Sequence, residues 1–386
     1  MKVLLLDQIA RVNYKYSFSL ANAIRALGIE IELAADDIED ISYCQCRVNR
    51  WFITARKDVS KLRKGINYIA SYISVLKKAR LEHFNVVHLQ WFQLSPVDVF
   101  FMKRLKGYGL KLVVSVHDIL PFDQKPYDMF FHKQIYALCD GIIIQAESNI
   151  ERFKELFPAE SHKARYIPHG NFLDFTDIYD QKEARKRLGI EEEKTVLLFF
   201  GQIKKVKGVD ILLEAFGRLS PEIRKGLFLL IAGNVWKDDF EPYQELINCY
   251  GLGSDVLKTD IRYIPDDEVG LFYSACDLAV LPYTDVYQSG VIQLAYAYEK
   301  PVIATDLGAF KEIIEEGVNG FLCRAGDAVS LGEAIKRAAG KKKEDFRRMG
   351  IAGKEKIRRL YSWEDIAKKV GQVYEEAFAE KHEKGS

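Results

Sequence analysis

Asp277-Leu278-Ala279-Val280-Leu281 is a short apolar run closed by Pro282. Ser289-Gly290 then opens a longer apolar stretch from Val291 to Ala297, and Lys300-Pro301 leads into Val302-Ile303-Ala304-Thr305. The outer two runs are short and lack polar alternation, the mark of strands buried on both faces. The middle one reads as a helix whose first turn offers free backbone N–H groups. Strand, helix and strand in succession form a βαβ unit, which implies a parallel sheet covered by helices.

The same alternation continues outward in both directions. The first half has strand-like runs at Val3–Leu6, Ile29–Ala34, Val86–Gln90, Leu110–Val116, Gly141–Gln145 and Tyr166–Pro168. The second half has them at Thr195–Phe200, Leu227–Ala232, Ile261–Ile264, Asp277–Leu281, Pro301–Thr305 and Gly320–Cys323. Ser148-Asn149-Ile150-Glu151 and Ser362-Trp363-Glu364-Asp365 have the form of capping boxes that open helices. A chain of 386 residues exceeds what one core usually serves. The expected fold is therefore α/β with two Rossmann-like domains facing each other across a cleft. The domains are 1–170 and 171–362, with a last helix over 363–380. Ligands of such sheets sit outside the carboxyl ends of the strands.

Apolar residues make up 48% of the chain and charged residues 29%, an ordinary globular composition. The 56 Lys and Arg nearly balance the 55 Asp and Glu, which speaks against nucleic acid as a partner held by bulk charge. The six cysteines form neither a disulfide framework nor a zinc spacing. The N-terminus lacks signal-peptide form and no apolar run reaches 18 residues, so a cytoplasmic protein is expected. One segment departs from the balance. Between Arg47 and Arg80 stand ten Lys or Arg, Lys57 among them, against the single acid Asp58. Ile66, Ile69, Ala70, Ile73 and Leu76 recur there at helical spacing. Two readings stand open: an apolar stripe packed on the sheet with solvated bases, or a peripheral helix on an anionic membrane surface at the inner face.

Several chemistries lose their support. No glycine-rich fingerprint follows the first strand, and the Walker A loop, H-E-x-x-H and G-x-S-x-G are missing. What remains is Gly201-Gln202-Ile203-Lys204-Lys205-Val206-Lys207-Gly208, a strand end with a basic loop suited to a diphosphate. The helix beginning near Ser289, Gly290 and Val291 is a second anion-binding element.

The order of these motifs resembles glycosyltransferase family 4 (group 1). The residues that carry it are Gly201 to Gly208, Ile231-Ala232-Gly233, Tyr263-Ile264-Pro265, Asp277 to Pro282, Lys300 to Thr305 and Glu316-Gly317-Val318-Asn319-Gly320. The resemblance implies the GT-B fold, with a nucleotide-sugar donor on the C-terminal domain, an acceptor on the N-terminal one, and the last helix, 363–380, packing back on the N-terminal domain. By the family's pattern Lys207 grips the donor diphosphate together with backbone N–H groups at Ser289, Gly290 and Val291. Tyr263 and Ile264 lie along the nucleobase, and His117, at the end of a buried strand, points at the transferred sugar and phosphate. His169, at the domain junction, reads as structural.

The chain also departs from the family. Gln202 stands where the family has Arg, leaving Lys204 or Lys205 to supply the charge. The family's paired glutamates are absent. Counting back from Pro301 places Val286 and Leu294 there, and Asp285 with Gln293 keeps the spacing one residue earlier. The donor-side expectation is thus Gly201, Gln202, Lys204, Lys207, Tyr263, Ile264, Asp285, Ser289, Gly290, Val291 and Gln293. Asn13, Tyr14 and Tyr16, read as a loop, are expected to contact an acceptor saccharide, free or lipid-linked, by stacking and polar contacts. The expected reaction needs no metal and no cofactor, because lysine and helix-end N–H groups neutralise the leaving phosphates. The resemblance favours retention. In an inverting reaction Asp118 is the general base, with Asp123 and Glu147 behind it. The rivals are a nucleotide-sugar epimerase of the same fold and a non-catalytic sugar-nucleotide-binding subunit.

Overall fold

The computed structural model describes residues 1–56, 58–236 and 239–379. Lys57 and residue 380, the last of the expected C-terminal helix, lie outside the described residues. The chain divides into two compact units, Met1–Gly170 with the chain from Tyr361 onward, and Asn171–Leu360. Tyr361 and Ser362, expected in the second domain, belong with the first.

The first unit is built on seven parallel strands: β1 (Lys2–Asp7), β2 (Glu30–Asp36), β3 (Arg47–Phe52), β4 (Val86–Leu89), β5 (Lys111–Val116), β6 (Gly141–Ile144) and β7 (Ala164–Tyr166). Their order is β3-β2-β1-β4-β5-β6-β7, the two-way winding of a Rossmann-like sheet. The crossovers are α1 (Ala10–Ala26), α2 (Lys61–Leu81), α3 (Ser95–Gly107), α4 (Asp128–Leu138) and α5 (Ser148–Leu156). Because the winding reverses at β1, right-handed connections put α1 on one face of the sheet and α2, α3 and α4 on the other.

The second unit has six parallel strands, β8 (Thr195–Phe200), β9 (Leu227–Ala232), β10 (Leu257–Asp260), β11 (Leu278–Leu281), β12 (Val302–Thr305) and β13 (Gly320–Cys323), ordered β10-β9-β8-β11-β12-β13. Its helices are α6 (Gln181–Leu188), α7 (Val209–Gly217), α8 (Pro221–Lys225), α9 (Glu241–Cys249), α10 (Asp266–Ala275), α11 (Gly290–Ala297), α12 (Gly308–Lys311), α13 (Ala328–Ala339) and α14 (Lys343–Leu360). The chain then returns to the first unit with α15 (Trp363–Ala379). There α15 packs on α1, β5 and β6, and its Ile366, Val370 and Tyr374 join Val3, Leu5, Val86 and Val113 in one core.

Three strands differ from the expectation. β3 was read as part of the basic segment, the strand expected at Ile261–Ile264 lies earlier, at β10, and the one expected at Tyr166–Pro168 lies two residues earlier, at β7. All three are edge strands, so one margin faces no neighbour and the continuous apolar pattern is not required. The capping boxes also divide. Asp365 N donates to Ser362 Oγ at 3.2 Å, as a cap should. Ser148, in contrast, is already helical, and the residue before α5 is Glu147, whose side chain makes no capping bond.

The basic segment folds as β3 and α2, and the stripe is not the face that packs on the sheet. Tyr68, Tyr72, Val75 and Ala79 turn inward. Ile66, Ile69, Ala70 and Ile73 are exposed and Leu76 is half-buried. Asn13, Tyr14 and Tyr16 form no loop, because α1 already begins at Ala10. No helix among the described residues is long and apolar enough to cross a membrane.

Candidate active site

Each unit gathers polar side chains at the carboxyl ends of its strands. In the first unit the apolar runs of β1, β4, β5 and β6 end in Asp7-Gln8, Gln90-Trp91, His117-Asp118 and Gln145. Adjacency in the sheet places these groups in a row. His117 is buried, stacked on Trp91 with ring centroids 4.4 Å apart, and met edge-on by Tyr16. Burial, reinforced by the nearby His169 and His88, holds the imidazole well below the usual histidine range, so it is neutral at pH 7.

A relay sets which nitrogen of His117 carries the proton. His117 Nε2 lies 2.9 Å from Gln90 Oε1, an atom that only accepts, so Nε2 bears the hydrogen. Gln90 Nε2 faces His88 Nε2 at 3.4 Å, and Ser115 Oγ lies 2.9 Å from the same nitrogen. His88 Nδ1 then donates to Tyr374 Oη on α15, at 2.7 Å. His117 Nδ1 is left as a bare lone pair, buried and without a partner. Gln8 Oε1, Trp91 Nε1 and both amide atoms of Gln145 are likewise buried and unmatched. Unmatched buried polar atoms are costly, and their concentration at one sheet edge makes this row a candidate binding site.

Around this row the carboxylates differ. Asp7 is buried, accepts from Ser17 Oγ, Ile9 N and Asn13 Nδ2, and is pushed up to about 6, chiefly by burial. Asn13 thus holds Asp7. Tyr16 is buried against His117, His169 and Trp363, while Tyr14 is half-buried. Asp118 is exposed, as are Asp123 and Glu147. His169 is buried and bonded through Nδ1 to Gly170 O at 2.7 Å.

In the second unit β8 ends at Phe200, and Gly201 turns the chain with φ of 124°. A Cβ on Gly233, at the end of neighbouring β9, would lie 1.8 Å from Gly201 O, so glycine permits the two strand ends to meet. The loop closes on β11: Thr284 N donates to Val206 O at 2.9 Å, and Gly208, in the left-handed region, abuts Pro282 O. Lys207 Nζ lies 3.6 Å from the centroid of the buried Tyr283 ring, which aims the ammonium. Val291, in the first turn of α11, sits across from Gly201. Ser289 caps α11 without a side-chain capping bond, and Gln288 Oε1, Ser289 Oγ and Gln293 Oε1 are buried without partners.

The structure therefore brings Gly201, Lys207, Ser289, Gly290, Val291 and Gln293 to two adjoining strand ends. Gln202 is exposed and Lys204 half-buried on the same loop. Asp285 accepts from Val286 N at 2.8 Å, whereas Val286 and Leu294 supply no polar group. Tyr263 is exposed and Ile264 buried after β10, two strands from Gly201. Among the described residues no three His, Cys, Asp or Glu side chains converge as a metal site. Gln8, Gln90, Trp91, Gln145 and Gln288 were not anticipated. An apolar strand closed by Gln, three times in one sheet, is the signal that marks the first, second and fourth of these.

Comparison with known proteins bears on both halves. The family described as Glycosyl transferases group 1 matches residues 180–356, and Glycosyltransferase Family 4 matches residues 15–174. The chain is a group 1, family 4 glycosyltransferase. This glycosyltransferase is 26% identical over 318 residues to a D-inositol 3-phosphate glycosyltransferase of Nocardioides, covering 77% of this chain and 68% of that one. A protein of the same name from Geodermatophilus obscurus is 28% identical over 316 residues, with the same coverage. Its fold is that of GT-B enzymes. Sucrose-phosphate synthase from Thermosynechococcus elongatus superposes with a TM-score of 0.77 at 20% identity over 98% of this chain and all of that one. Anabaena HepE, solved with UDP-glucose, gives 0.76 at 17% identity over 97% and 99%. Membership in the family supports the transferase reading.

Proposed function

We propose that this glycosyltransferase moves a sugar from a nucleoside-diphosphate sugar to a saccharide or lipid-linked saccharide in glycoconjugate synthesis, with retention at the anomeric carbon. The observation that carries the donor assignment is the convergence of Lys207, the first turn of α11 and three buried, unmatched side-chain oxygens, of Gln288, Ser289 and Gln293, at the ends of β8 and β11. A lysine and aligned N–H groups stabilise the charge that develops on a departing diphosphate. Gln293 is suited to hold sugar or ribose hydroxyls, and exposed Tyr263 to flank the base. The bare Nδ1 of His117 accepts a hydrogen bond from a sugar hydroxyl and stays unprotonated, so it orients the sugar rather than supplying a proton.

The carboxylates of the first unit support retention. Asp7 is occupied by three donors, so it is not a free carboxylate base, and His117 Nδ1 is held too weakly basic by burial to take the acceptor proton. The acceptor proton then passes to the leaving phosphate on the face it departs from. Exposed Asp118 is the base in the competing, inverting assignment. UDP-hexoses are the first donors to try, since the Anabaena neighbour was solved with UDP-glucose. The relatives named for D-inositol 3-phosphate support a cyclic polyol acceptor.

The test is a thermal-shift panel of UDP, GDP, ADP and their sugars with EDTA present, followed by NMR of the product anomer. One nucleotide raising the midpoint, loss of that shift in Lys207→Ala, and a product of unchanged configuration are expected. No shift with any nucleotide refutes the donor site. An inverted product refutes retention and moves the base to Asp118.

A further inference from the structure

The outer surface of the first unit is chemically one-sided. α2, α3 and α4 lie side by side over one face of the sheet, α3 packing against both others. α2 contains no acid in its 21 residues, and the acids on α3 and α4, Asp98 and Asp128, are buried. The exposed side instead carries large apolar groups. Leu62, Ile66, Ile69 and Ile73 are 43 to 76% exposed, and at helical spacing they fall within roughly 60° of arc on α2. Phe100 on α3 and Phe130 on α4, 51 and 63% exposed, extend the apolar surface across the neighbouring helices. Among them stand Lys61, Arg63, Lys77, Lys103, Arg104 and Lys133, none paired with a carboxylate among the described residues. Lys78 and Lys106 on the same helices are paired, with Glu82 and Asp140.

We infer that the exposed face of α2, α3 and α4 docks on an anionic lipid bilayer, its aliphatic and aromatic side chains entering the headgroup boundary and its unpaired bases meeting lipid phosphates. A single scattered apolar side chain is ordinary on a protein surface, but six on three adjoining helices, with no exposed acid between them, are not. Interfacial helices bury such a face about 5–10 Å deep, and anionic lipid adds roughly a fivefold gain in binding per Lys or Arg near the surface. Nucleic acid fits less well, because the α2 stripe is aliphatic and offers no flat ring for a base.

The placement has a consequence for the proposed reaction. The N-termini of α2, α3 and α4 follow the carboxyl ends of β3, β4 and β5, so Leu62, Phe100 and Phe130 lie toward the edge that holds His117 and Gln90. A bilayer on this face places a lipid-linked acceptor beside that row. This consequence rests on the transferase reading; the docking itself does not.

The full chain is sedimented with vesicles of 30% phosphatidylglycerol in phosphatidylcholine, and with phosphatidylcholine alone, at 0.1 M salt. Binding to the anionic vesicles is expected, at least tenfold tighter than to the neutral ones. The double variant Ile66→Glu/Ile73→Glu and the charge reversal Arg63→Glu/Lys77→Glu should each lose tenfold or more. Both should keep the thermal midpoint and the nucleotide-induced shift, which separates failure of this inference from failure of the donor site. Equal sedimentation with and without vesicles overturns it, as does unchanged binding by both variants. Tighter binding to a single-stranded oligonucleotide than to the vesicles also overturns it, assigning the face to nucleic acid.

Discussion

Gly208 and Gly189 form a matched pair from which the steric requirement of the Lys207 loop can be measured. Both are left-handed, with φ/ψ of 66°/31° and 70°/32°. A Cβ on Gly189 meets nothing within 4 Å, whereas one on Gly208 would lie 2.0 Å from Pro282 O. Gly189→Ala therefore carries only the backbone cost of an L-residue in this region, about 1–2 kcal/mol. Gly208→Ala carries that cost and must also open the contact by about 1 Å, which adds about 1–3 kcal/mol. The opening separates the loop from β11 at the point where Thr284 N holds Val206 O. A displacement of about 1 Å in a positioning element costs on the order of a hundredfold in function. Urea denaturation of both variants, with nucleotide titration followed by thermal shift, tests this. Gly189→Ala should lose stability and keep wild-type nucleotide affinity, while Gly208→Ala loses more stability and most of its affinity. Equal destabilisation by the two, or full nucleotide affinity in Gly208→Ala, refutes the close approach of the Lys207 loop to β11.

Other perturbations probe the relay, the buried charges and the core. Gln90→Leu removes the group that orients both His117 and His88, so turnover should fall about 10–100-fold while nucleotide affinity stays, as read from kcat against the thermal shift. Asp98 accepts from Tyr68 Oη, Tyr72 Oη and Leu94 N, and burial pushes its carboxyl up to about 6. Its folded value exceeds the unfolded one near 4, so the neutral acid favours the fold and stability is lost as pH rises from 4 through 6, by about 3 kcal/mol. Asp98→Asn lacks this loss, and its urea stability relative to the parent should improve between pH 4.5 and 7.5; parallel profiles would contradict the assignment. Arg185, fully buried, donates to Asp277 Oδ2 at 2.7 Å and to the carbonyls of Ala275, Glu192 and Lys194. Arg185→Leu strands Asp277 and should cost about 3–5 kcal/mol, a midpoint drop near 10 °C by calorimetry.

Strands were legible where both faces are covered, β13 at the sheet margin included. β1, β4, β5, β6, β8, β9, β11 and β12 read as apolar runs because every side chain in them must leave water. β3 and β10 escaped for the converse reason, each having an open margin and tolerating Arg47, Arg50 and Lys258. The donor loop was legible because its glycines and lysines are contiguous in the chain. The polar row of the first unit was only partly so. His117 stood out through the family's pattern, but Gln8, Gln90 and Gln145 are single residues after three unrelated-looking runs, and only the sheet brings them together.

By itself the sequence determined two parallel α/β units, the capping box at Ser362 that opens the last helix, and the free backbone donors of the Gly201 and Ser289 segments. Those properties arise from local periodicity, capping and backbone donors, which neighbouring residues specify. Tertiary structure alone decided that Ile66 and Ile73 face outward while Tyr68 and Tyr72 pack inward, since a mixed helix can present either side to a sheet. It alone decided that Nδ1 of His117 is bare, because that proton is placed by His88 and Gln90, in and directly after β4, and by Tyr374 on the last helix. Contacts between segments far apart in the chain select one arrangement among several that the local pattern permits equally.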